Sequence, residues 1–60
     1  MTNQNPITRS EAEHKLRMVS SMINNAIRDV RDGKWKATFN SMDEAVRILR
    51  RLEPEIREVA

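Results

Sequence analysis

Apolar residues recur along the chain in two stripes that keep one seven-residue beat. Ala12, Leu16, Val19, Ile23, Ala26 and Val30 form the first stripe, and Met42, Ala45, Leu49, Leu52, Ile56 and Val59 the second. Alternating steps of three and four keep one face of an α-helix on one line, so each stripe predicts an amphipathic helix. Between them stands Gly33, the only glycine, which can take the left-handed conformation that ends helices. The pattern predicts an all-α fold: a two-helix antiparallel hairpin over residues 8–60, preceded by a disordered N-terminal tail over residues 1–7. Helix 1 is expected over about 9–32, the bend over about 33–40 and helix 2 over about 38–59.

The start of helix 1 has two candidate capping boxes, Thr8 with Glu11 and Ser10 with Glu13. Helix 2 has Ser41 with Glu44, and Thr38 as an earlier cap. Trp35, Ala37 and Phe39 alternate with polar residues, a pattern open to an extended reading, but a lone strand has no partner here. A helix beginning between Lys36 and Ser41 is therefore expected. Pro54 removes a backbone donor inside helix 2 and predicts a kink there, with the apolar phase continuing through Ile56 and Val59.

Each stripe is wider than a two-helix seam requires. Met22 and Ile27 flank the first, and Val46 and Ile48 the second. Four helices from two chains would cover these flanks, so a homodimeric four-helix bundle is expected. Its core would comprise Leu16, Val19, Ile23, Ala26 and Val30 from helix 1, with Met42, Ala45, Leu49, Leu52 and Ile56 from helix 2. Trp35 and Phe39 are expected to close one end of that core. Met18 falls off the core line.

Length and composition point the same way. Sixty residues bury little surface alone, and chains this short usually gain a disulfide, a metal or a partner. Cysteine is absent and His14 is the single histidine, which removes disulfides, thiolate sites and any His pair. No apolar run reaches the ~18 residues of a membrane span. The polar, uncharged N-terminus lacks the pattern of a signal peptide, so a cytoplasmic protein is expected.

Chemistry finds little support. The triad logic of nucleophilic catalysis needs a base held by a third group, and His14 falls on the outer face of helix 1. Glu11 and His14 have a Glu-x-x-His spacing, but they too face outward. No enzyme activity, metal or cofactor is expected. The charged surface is more informative. Arg17, Asn24, Arg28 and Arg31 line an exposed strip of helix 1, Lys34 and Lys36 crowd the bend, and Arg47, Arg50 and Arg51 form a patch on helix 2. Such residues could meet phosphates or an acidic protein surface. Asp29, Asp32, Asp43 and Glu44 are interspersed among them, and Asp43 stands at the i, i+4 spacing that pairs with Arg47. The net charge is only +2.

The arrangement of two helices, a short bend and an antiparallel dimeric bundle in about sixty residues resembles the Rop family of plasmid copy-number regulators. The stretch from Ile27 to Leu52, with Gly33, Trp35 and Ala45, resembles a single tetratricopeptide-type hairpin, which would need neighbours to stack on. Both resemblances concern architecture and imply no site residue. The expected function is that of a small non-enzymatic regulator or adaptor that dimerises and docks on another protein through its outer face. An RNA- or DNA-binding dimer using the same arginines is the alternative.

Overall fold

A computed structural model describes residues 6–60, so the first five residues of the expected tail lie outside the described residues. Two helices make up the fold: α1, Arg9–Arg31, and α2, Trp35–Val59. They pack against each other as a hairpin.

Of the two candidate caps for α1, the structure uses Thr8. The Glu11 N–H donates to Thr8 Oγ1 at 3.1 Å, and the Thr8 N–H donates to Glu11 Oε1 at 3.2 Å. This is a complete capping box. Ile7, expected in the tail, is half-buried at the position before the cap, where an apolar residue steers the chain into the first turn. The Glu11 carboxyl is held below its ordinary pKa by the hydrogen bonds it accepts from the Thr8 backbone and hydroxyl.

At the other end α1 stops as expected at Gly33, whose φ is +72°. The Gly33 N–H donates to the Val30 carbonyl at 3.1 Å and the Lys34 N–H to the Asp29 carbonyl at 2.8 Å. This pair of bonds is a Schellman motif, which satisfies carbonyls left free at the helix end.

The bend is shorter than expected. α2 begins at Trp35, so Trp35, Ala37 and Phe39 are helical, and Ser41 lies two turns inside the helix rather than at its cap. The true N-cap, Lys34, makes no side-chain cap bond, and no acid occupies the first turn. The Schellman turn reverses the chain in three residues and leaves no room for a longer loop. Thr38 turns its hydroxyl back onto the Lys34 carbonyl at 2.8 Å instead of capping. α2 also runs through Pro54 without a break in its helical span.

The seam between the helices is narrow. Its buried residues are Val19 and Ala26 of α1 and Ala45 and Leu52 of α2. Lys15 and Glu55 join across it, with Nζ 3.3 Å from Oε1. That pair sets the register, which brings Ala26 level with Ala45 and Val19 level with Leu52. Two alanines at one level let the backbones approach closely. The second column of the seam is formed by the half-buried Met22 and Ile48, read from sequence as flanks.

Two stability outcomes follow. Thr8→Ala should cost about 1 kcal/mol in thermal or denaturant melts at fixed protein concentration. Because the Glu11 pKa is lowered on folding, its contribution is present above the ordinary carboxylate range and is lost as pH falls through the lowered value. The gap between the wild type and Glu11→Gln should therefore close in acid. Gly33→Ala should cost about 1 kcal/mol by melting, because nothing lies within 4 Å of the added Cβ and only the positive φ opposes it. Gly33→Asn should cost less, since Asn tolerates that region.

Candidate protein-interaction face

The columns that the seam leaves out lie on one side of the hairpin. On α1, Leu16, Ile23 and Val30 recur every seven residues and turn about 60–80° away from the seam; Ile27 lies beside them. On α2, Trp35, Met42, Leu49 and Ile56 recur at the same interval, with Phe39 and Val46 beside them. The helices run antiparallel, so both displacements carry these residues to the same face. A shared groove confirms it: Leu16 of α1 lines one depression with Val46, Leu49, Leu52 and Ile56 of α2, together with the charged Arg50, Glu53 and Arg57.

This face is wet in the single chain. Leu16, Ile23, Ile27, Val30, Met42, Val46 and Leu49 are all exposed. Trp35 and Phe39 are 69% and 65% exposed. Within one hairpin these aromatics are therefore not covered; the core whose end they are expected to close includes a second chain. They start α2 beside the turn and project from the open face, beyond the reach of α1. The expected core likewise divides in two. Val19, Ala26, Ala45 and Leu52 are buried within one chain and Ile56 is half-buried, whereas Leu16, Ile23, Val30, Met42 and Leu49 are not covered.

The chain exposes 5368 Å². A compact monomer of 7.0 kDa would expose about 4,000 Å². Part of the excess belongs to the rod form, and the large exposed apolar residues sit together on one face rather than scattered.

The opposite face mixes polar residues with two methionines. Met18, Ser21, Met22 and Asn25 of α1 form a shallow depression with Asn40, Ser41 and Glu44 of α2. Met18 is exposed here, as its position off the core line implied.

The expected contact residues Arg17, Asn24, Arg28, Arg31, Lys34, Lys36, Arg47, Arg50 and Arg51 are all exposed. They do not form one continuous patch. Arg17 pairs with Glu13 at 2.5 Å, and Arg47 pairs with Asp43 at 3.2 Å as its spacing implied. Arg28 donates to Asn25 Oδ1 at 3.1 Å. Arg57 pairs with Glu53, and both line the groove. Arg31, Lys34, Lys36, Arg50 and Arg51 make no salt bridge among the described residues. Arg47, Arg50 and Arg51 share a depression on α2 with Ile48. His14 is exposed on α1, away from the seam. Among the described residues no three acids, histidines or cysteines gather in metal-ligating geometry, and no helix is long and apolar enough to cross a membrane.

The dimer core expected from the sequence takes in both the seam and the open face; the structure shows which of these columns one chain buries by itself. Residue size separates them only in part: Ala26 and Ala45 lie in the seam, but so do Leu52, Met22 and Ile48. Comparison with protein families, with curated proteins and with solved structures finds no match to this chain.

Proposed function

We propose that this chain is a small regulatory or adaptor protein, without catalytic activity, that works as a homodimeric four-helix bundle and binds another protein through the outer surface of that bundle. The observation that carries this reading is the open apolar face, which runs along both helices of the hairpin. Leaving Leu16, Ile23, Met42, Val46 and Leu49 in water forfeits about 1.5–3 kcal/mol for each side chain that a partner could bury fully. A second hairpin offers an apolar face of the same length and width.

Covering the face leaves a charged exterior. Glu13–Arg17, Asp43–Arg47 and Glu53–Arg57 neutralise one another along the helices. Among the described residues, cations without a salt bridge remain at the bend and at Arg51, and Arg50 lies at the edge of the groove. These are the groups available to recognise an acidic surface on a partner protein, and dimerisation doubles them.

Binding to RNA or DNA is the second reading, favoured by the lack of any salt bridge at Arg31, Lys34, Lys36, Arg50 and Arg51 among the described residues. The modest net charge and the interspersed acids weigh against it.

Light scattering after size exclusion should give twice the chain mass at both low and high salt, since the proposed association is apolar. Ile23→Asp should give a monomer with reduced helix content by circular dichroism. A wild-type monomer at micromolar concentration would overturn the bundle. Any nucleic-acid affinity should fall steeply with salt and vanish on replacing Arg47, Arg50 and Arg51 with Gln. Salt-resistant capture of a protein partner by the wild-type dimer would instead support the adaptor reading.

A further inference from the structure

The exposed apolar residues of α2 grow wetter towards the bend. In the column spaced by sevens, Ile56 is half-buried, and Leu49, Met42 and Trp35 are 41%, 50% and 69% exposed. The next column repeats the trend, from Val46 at 42% to Phe39 at 65%. An α-helix drifts about 20° for each step of seven residues, so both columns turn away from α1 as they approach the bend. Phe39, six residues before Ala45, stands about 120° round α2 from the seam. Trp35 precedes it by one turn on the same side. The chain's only two aromatics thus project together from the end of a rod, 49 × 19 × 15 Å in extent. Neither of them lines any of the three depressions described above, so this end of the hairpin offers a projection and not a pocket.

Cations surround the projection. Lys34 and Lys36 bracket Trp35, and Arg28 and Arg31 approach from the last turn of α1. None of the four is in a salt bridge among the described residues. With Asp29 and Asp32 included, residues 28–36 keep a net charge of +2. Along α2 no acid occurs before Asp43, which Arg47 neutralises at 3.2 Å. From Trp35 to Met42 the helix rises about 10 Å.

We propose that the bend end of the hairpin binds the anionic surface of a lipid bilayer, with Trp35 and Phe39 set among the upper acyl segments and Lys34, Lys36, Arg28 and Arg31 on the lipid headgroups. Interfacial helices sink their apolar side about 5–10 Å into a bilayer, which is the depth over which α2 carries no acid. Trp belongs at headgroup level, because its ring is apolar and its indole N–H finds a polar partner there. Lys and Arg lay their apolar stems along the layer and keep their charges at phosphates and water. Each cation held near an anionic leaflet strengthens binding about fivefold. A protein partner would need a cleft shaped around the two rings, whereas a bilayer yields to them. The surface is complete in each hairpin and does not depend on the dimer.

Trp35 is the only tryptophan, so its fluorescence reads the contact directly. Titrating the chain with mixed phosphatidylcholine–phosphatidylserine vesicles should shift its emission to the blue and protect it from acrylamide quenching. Vesicles of phosphatidylcholine alone should do little of either, and added salt should weaken the anionic binding. In co-sedimentation, the double variant Lys34→Gln, Lys36→Gln should lower the partition coefficient roughly 25-fold. Phe39→Ala should lower it at least about tenfold. All three side chains are exposed, so circular dichroism should show the helices intact in both variants. No blue shift and no co-sedimentation with the anionic vesicles would overturn the proposal. Undiminished binding by the two-lysine variant would overturn it too, since the contact would then lie elsewhere on the apolar face. A shift produced by soluble polyglutamate and not by vesicles would replace the lipid surface with an acidic protein.

Discussion

Two helices can bury only one strip each against one another. That limit governs the rest of the molecule. The strip is spent on Val19, Ala26, Ala45 and Leu52, with Met22 and Ile48 at its polar edge. Leu16, Ile23, Met42 and Leu49 lie three residues from the seam positions, about 60° around each helix, so a two-helix seam leaves them to one side. The open face follows from that angular offset.

The helices themselves were legible from the spacing of apolar residues. So were the cap at Thr8, the stop at Gly33 and the ion pair between Asp43 and Arg47, because each depends on residues close in sequence. The start of α2 was not. Capping preferences point to Thr38 or Ser41, yet the helix begins at Trp35 behind a lysine with no cap bond. A Schellman turn that reverses the chain in three residues outweighs the local preference. The division of the stripes into seam and open face was hidden for a related reason. Periodicity reports which side of a helix is apolar; the register between the helices decides which part of that side is covered.

The candidate contact residues were legible only as a list. Their exposure was expected, but the way acids neutralise some of them was only partly foreseen. Arg17, Arg47 and Arg57 are tied to carboxylates one turn earlier, while Arg50 and Arg51 are not. Exposed pairs of this kind contribute little to stability. Their larger effect is on surface potential: among the described residues, the cations without a salt bridge are Arg9, those around the bend, and Arg50 and Arg51.

The three-residue turn also guards the topology. Hairpin proteins can exchange helices between copies when the turn straightens into one long helix. Here Val30 and Trp35, the last and first residues of the two outer columns beside the turn, are five positions apart. In a continuous helix five positions amount to about 140° of rotation. Straightening would thus throw the α1 and α2 columns onto different sides of the rod, and no single partner surface could cover both. The phase jump across Gly33 makes the closed hairpin the form in which all the large apolar side chains share one face, and an exchanged dimer would forfeit that alignment.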